Sequence, residues 1–147
     1  MTMRRWVLDT NVLVSAILSA GVPRRLFVSA LAGSYRLCIS RVMLTELQTV
    51  LARPKLAARL NRCSLAPAAI VRDVETIAHV VTPTEVPRIV PNDPDDDHVV
   101  AAALACHADL IVTGDRRHLL TLNSVGGIPI VTAATALRQL GVLERDG

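Results

Sequence analysis

Four carboxylates stand where apolar segments end or turn inward. Asp9 closes the run in Trp6-Val-Leu-Asp-Thr-Asn11, and Asp115 closes Leu110-Ile-Val-Thr-Gly-Asp115. Glu46 lies in Ser40-Arg-Val-Met-Leu-Thr-Glu46, and Asp97 ends the acidic run Asp93-Pro-Asp-Asp-Asp97. An unpaired charge is costly to bury. Four that converge repel one another unless a cation sits between them. A hard divalent ion on oxygen ligands satisfies both demands. In a chain of net charge +3, with 16 Lys and Arg against 13 Asp and Glu, such a site points toward phosphodiester chemistry.

Each acid also has a purely structural explanation. Asp9 can N-cap the helix that follows it. Glu46 shares a helix face with Val42, Met43 and Val50, so its stem can pack while its head reaches water. Asp93 suits an N-cap before Pro94, and carboxylates in the next turn suit the positive end of the helix dipole. Asp97 aligns at helical spacing with Val100, Ala101 and Leu104, which selects it as the inward-facing acid of the run. Asp95 and Asp96 then either support it from beside the ion or are solvated. Asp115 follows Thr113-Gly114, where a turn and a ligand site are both at home.

The hydrophobic pattern indicates the elements that must carry these acids. Strands are expected at Trp6–Leu8, Arg36–Ser40, Val80–Thr82, Leu110–Thr113 and Ile128–Val131. Helices are expected over 11–18, 23–31, 41–51 with Ser40 as cap, 55–60, 67–80, 94–108 and 132–140, with a helical turn over 117–122. Pro83, Pro87 and Pro91 make 82–92 irregular. Strands alternating with helices predict a three-layer α/β/α sandwich around a mostly parallel sheet of four to five strands. In such sheets ligands gather beyond the carboxyl ends of the strands, where Asp9 and Asp115 fall.

Length and composition set the bounds. The 147 residues suit one domain spanning 1–147, able to bury roughly 70% of its unfolded surface. One Trp, one Tyr and one Phe leave little for base stacking. Cys38, Cys63 and Cys106 form no paired framework, as expected of reduced thiols in a cytoplasmic protein. Arg4-Arg5 and the apolar run after it imitate a signal peptide, but Asp9 and Asn11 interrupt the run. No apolar run reaches the ~18 residues that span a bilayer, so no membrane partner is expected. Asp93-x-Asp95-x-Asp97 opens like an EF-hand loop, yet His98 and Leu104 occupy the positions that need Gly and an acid. The four His and three Cys lack zinc-finger spacing, and there is no phosphate-binding glycine loop.

Four segments together carry a resemblance: Val7-Leu-Asp-Thr-Asn-Val12, the stretch Ser40 to Lys55 around Glu46, Asp93-Pro-Asp-Asp-Asp-His-Val-Val-Ala-Ala-Ala103, and Val112-Thr-Gly-Asp115. In this order they resemble the PIN-domain family, and within it the toxin components of bacterial toxin–antitoxin pairs similar to virulence-associated protein C toxins. The resemblance implies a metal-dependent endoribonuclease that hydrolyses RNA with water activated by Mg²⁺ or Mn²⁺, leaving 5′-phosphate and 3′-hydroxyl ends. It implies Asp9, Glu46, Asp97 and Asp115 as catalytic metal ligands, with Asn11 and Thr113 in support. Arg53 with Lys55 and Arg116 with Arg117 are then candidates to hold the RNA backbone. A cognate antitoxin and a homodimer are the partners implied. Two other classes compete: a PIN-like module that binds RNA or protein without cutting, and a small phosphatase built on Asp9-Thr-Asn11.

Overall fold

The computed structural model describes the backbone of residues 3–88, 94–115 and 118–146, and their side chains except those of 94, 95 and 143–146. Six strands form one sheet: β1 (Arg5–Leu8), β2 (Arg36–Ser40), β3 (His79–Val81), β4 (Leu110–Val112), β5 (Ser124–Val125) and β6 (Ile128–Val131). Their order is β3-β2-β1-β4-β6-β5, parallel throughout except for the β5–β6 hairpin. Helices α1 (Thr10–Leu18) and α2 (Val22–Leu31) join β1 to β2. Helices α3 (Arg41–Leu51), α4 (Pro54–Arg62) and α5 (Pro67–Ile77) join β2 to β3. Both connections move the chain toward the same edge. Helix α6 (Pro94–Ala105) carries it back from β3 to β4 and packs on β1, β2 and β4. Right-handed crossovers put opposite movements on opposite faces, which gives the α/β/α layering. Helix α7 (Ala133–Asp146) closes against α2.

Strands β1, β2 and β4 are short and buried on both faces, so they read as continuous apolar runs. Val7, Leu8, Cys38, Ile39, Ile111 and Val112 have no exposed surface. Trp6 stacks on Tyr35 at 4.6 Å, and the Tyr35 hydroxyl donates to the Leu26 carbonyl at 2.8 Å. These two aromatics are thus core residues and offer no platform to a base. No single helix among the described residues is long and apolar enough to cross a membrane. The apolar N-terminal stretch instead splits into β1 and α1, whose Val12, Leu13 and Ala16 are buried.

Where the elements depart from the pattern, the causes are local. Among the described residues the sheet has six strands rather than four to five. The additional β5 is two residues long and turns through Gly126-Gly127, with φ of 54° and 78° as a two-residue hairpin requires. Helix α6 stops at Ala105 rather than 108, because His107 adopts φ 54° and the Ala108 amide bonds back to the Ala103 carbonyl at 2.9 Å. The same helix-ending motif occurs at Gly33 and at Ser64. Only one of these three carries the glycine that marks such ends in a sequence. Helix α5 ends at Ile77 because Ala78 is already extended toward β3.

The parallel register aligns the strand ends. Val7 pairs with Cys38 and Leu8 with Val112, so one row across the carboxyl edge reads Ser40, Asp9, Thr113 and Thr132. Three of these cap the helix that follows. Ser40 accepts the Met43 amide at 3.1 Å, Asp9 the Val12 amide at 2.8 Å and Thr132 the Thr135 amide at 3.2 Å. Ser40→Ala should therefore cost about 1 kcal/mol of folding stability, read as a lower midpoint in urea unfolding with an unchanged m-value. An unchanged midpoint would show that this cap contributes nothing to α3.

Candidate metal centre at the carboxyl edge

Strand order reverses between β1 and β4, so the connections from these central neighbours leave in opposite directions and open a crevice. A cleft of about 690 Å³ lies there, lined among others by Asp9, Asn11, Glu46, Arg53, Asp96, Thr113, Asp115 and His118. Four of its donors come from four different segments. Asp9 follows β1, Glu46 comes from α3, Asp96 from the first turns of α6 and Asp115 from the chain after β4.

Asp9 is only 3% exposed, and both of its oxygens are engaged. Oδ1 accepts the Val12 amide at 2.8 Å, which is the capping role. Oδ2 accepts the Thr113 hydroxyl, and Thr113 in turn accepts the Asp115 amide at 3.0 Å. One hydroxyl thus joins the two strand ends and fixes both acids. The cap and the ligand readings of Asp9 are compatible, because each carboxylate oxygen can serve two partners. Burial raises the Asp9 pKa above the ordinary carboxylate value, the negative charge of Asp115 adds to this, and hydrogen bonds from Thr113, Val12 and Gly114 offset it only in part.

Glu46 is partly buried at the margin of the inward face of α3, and one of its oxygens accepts the Thr10 hydroxyl at 3.1 Å. Thr10 is therefore a positioning residue that sequence reading missed. Its partner is 36 positions away, and no local pattern signals the pair.

The acidic run differs from expectation. Asp96 and Asp97 are both 7% exposed, but Asp96 lines the cleft and Asp97 does not. Neighbours on a helix point about 100° apart. Asp96 stands in line with Val99, Val100 and Ala103, all buried. The stripe that favoured Asp97 ends at Leu104, which is 38% exposed. The Asp95 side chain, Asp93, Arg116 and Arg117 lie outside the described residues.

His118 completes the group. Its amide donates to Asp115 Oδ1 at 3.2 Å, and its Nδ1 lies 3.2 Å from Asp115 Oδ2 and 3.9 Å from Asp96 Oδ2. Asp96, Asp115 and His118 each bring one donor atom within 4.8 Å of the others. That donor set fits a small divalent cation with little movement, and Asp9 and Glu46 line the same cleft. Its only sequence signal was the three-residue spacing from Asp115.

The cations are divided between structure and site. Arg24 donates to the Ala16 and Ile17 carbonyls, and Arg59 to the Leu18 carbonyl, so both serve the negative end of α1. Arg53 lines the cleft; Lys55 is exposed outside it.

The raised Asp9 pKa has a consequence for the metal-free protein. The folded state holds the proton more tightly than the unfolded chain, so stability falls as pH rises from about 3.8 toward the folded pKa. In the presence of chelator at pH 7, Asp9→Asn should melt above the wild type, since Asn keeps the cap without the charge. The difference should vanish as pH falls below about 3.8, where Asp9 is neutral in both the folded and the unfolded chain. A lower melting temperature for Asp9→Asn at pH 7 would refute this. Thr113→Val, which keeps the shape and removes the hydroxyl, should cost about 1–3 kcal/mol by chemical denaturation; no loss would mean that the hydroxyl does not tie the strand ends.

Comparison with known proteins agrees with this architecture. No curated protein matches the chain. Among solved structures, the crystal structure of VapBC2 from Rickettsia felis bound to a DNA fragment from their promoter is similar in fold, with a TM-score of 0.56 and 16% sequence identity over 87% of this chain and 98% of that one. Residues 5–117 match the family described as PIN domain, which takes in all four acidic segments and every strand from β1 to β4. The chain belongs to the PIN domain family.

Proposed function

We propose that this chain is a divalent-metal-dependent endoribonuclease and the toxin of a toxin–antitoxin pair. The observation that carries the reading is the meeting of Asp96, Asp115 and His118 in a cleft that Asp9 and Glu46 also line. PIN domains are generally nucleases, which supports hydrolysis of a phosphodiester. On this reading Asp9, Glu46, Asp96 and Asp115 hold Mg²⁺ or Mn²⁺, with Asp97 behind them on α6. The ion, when bound, supplies Lewis acidity at the phosphoryl group and lowers the pKa of water.

The chain itself supplies position and charge. The Val12 amide and the Thr113 hydroxyl keep Asp9 from rotating, and Thr10 holds Glu46. Arg53 lines the cleft together with Ala133 and Ala134 at the start of α7. A guanidinium and a helix N-terminus both favour a backbone phosphate. Neither reads a base, and Trp6 and Tyr35 are buried, which favours an RNA held by its backbone.

The VapBC2 assembly has a similar fold, which supports a cognate antitoxin as partner. We place the protein in the cytoplasm, as a homodimer neutralised by an antitoxin that covers the acidic cleft. Purified protein should cut RNA with Mg²⁺ or Mn²⁺ and stop when chelator is added. Asp9→Asn and Asp96→Asn should each slow cutting by about a hundredfold or more, ~2.7 kcal/mol of barrier, while Asp97→Asn should stay within about tenfold of wild type. Cutting that persists in chelator, or full activity of Asp9→Asn, would overturn the proposal.

A further inference from the structure

His118 is held by Asp115 at both its backbone and its ring. Its ring is 39% exposed, so packing alone does not orient it. The backbone is fixed instead by the hydrogen bond from its amide to Asp115 Oδ1 at 3.2 Å, which begins the turn leading to Leu120–Leu122. The other oxygen of the same carboxylate faces the ring: Nδ1 lies 3.2 Å from Asp115 Oδ2 and 3.9 Å from Asp96 Oδ2. Asp115 therefore places both the backbone and the ring of His118, and the ring nitrogen is turned toward two carboxylates from two different elements. A nitrogen in that position can share whatever cation the carboxylates share.

We propose that His118 is itself a metal ligand, through Nδ1, and that it biases the cleft toward Mn²⁺ over Mg²⁺. The inference rests on the metal-dependent reading of the cleft and adds the identity of the ion to it. Mg²⁺ strongly prefers oxygen donors in octahedral geometry and keeps much of its water. Mn²⁺ lies at the oxygen-preferring end of the transition series but accepts imidazole more readily than Mg²⁺ does. An oxygen-only cleft discriminates little between the two; a set that includes one neutral imidazole gives Mn²⁺ an additional bond that Mg²⁺ exploits poorly. Asp96 and Asp115 supply the charge that either ion needs, and His118 supplies the preference.

The test is binding and spectroscopy on the whole protein, with Mn²⁺ and Mg²⁺ as the probes. Electron spin-echo envelope modulation of bound Mn²⁺ should show nitrogen coupling in the wild type, because His118 is the histidine that lines the cleft among the described residues. The coupling should disappear in His118→Ala and in His118→Gln. By calorimetry, Mn²⁺ affinity should fall about tenfold or more in these variants, with a smaller loss for Mg²⁺. Mn²⁺ bound to wild type without nitrogen coupling would overturn the proposal, and so would equal losses for the two ions, which would make His118 only a support for Asp115. Should the variants fail to fold, the wild-type spectrum decides by itself. A different result marks failure of the underlying reading: no divalent binding by the wild type, or binding unchanged in Asp96→Asn.

Discussion

Everything at the carboxyl edge depends on holding Asp9 where a carboxylate is least comfortable. It stands at the end of a central strand, nearly out of reach of water, and near the negative charge of Asp115. Desolvation and like charge both oppose its ionisation. The hydrogen bonds from Val12, Thr113 and Gly114 lessen that opposition without cancelling it. Thr113 matters most among them, because it also receives the amide of Asp115 and so joins two strand ends that are 104 residues apart in the chain. The unfavourable charge arrangement is thus a property of the fold, which sets the acids by main-chain and hydroxyl contacts.

The rest of the edge follows from parallel pairing. Strands that end level with one another pass into helices at the same level, so caps line up in a row and several helix N-termini open toward the same crevice. Ser40 and Thr132 there are accounted for by capping, and Asp9 caps with one of its oxygens. Among the cleft-lining groups that capping does not account for are Glu46, Asp96, Asp115, His118 and the second oxygen of Asp9. Stability and function oppose each other at these positions. In the metal-free protein the charge of Asp9 is a cost, and that cost is also what would make binding of a cation favourable.

Much of this was legible in the sequence because its signals are local. Short apolar runs located β1, β2, β4 and β6, and the acids just beyond them located the edge where a ligand would sit. Ser40 announced its cap by type and position. What could not be read depends on neighbours distant in sequence or on angles finer than a pattern resolves. Asp96 and Asp97 are adjacent and both precede apolar stripes; the choice between them turns on Leu104, which looks inward by composition and is exposed. Thr10 meets Glu46, and Thr113 meets Asp9, only after the sheet and α3 are assembled. The ends of α4 and α6 rest on Ser64 and His107 in a conformation that glycine usually marks. Strand β5 is too short to show a period.

The most direct measurement of the central claim is anomalous X-ray scattering from crystals of the protein soaked in Mn²⁺. The expected result is a peak in the cleft between β1 and β4, within about 2.1 Å of carboxylate oxygens from Asp96 and Asp115. Ordered Mn²⁺ elsewhere on the molecule with none in this cleft, or carboxylates turned away from one another, would contradict the reading of these acids as a metal centre.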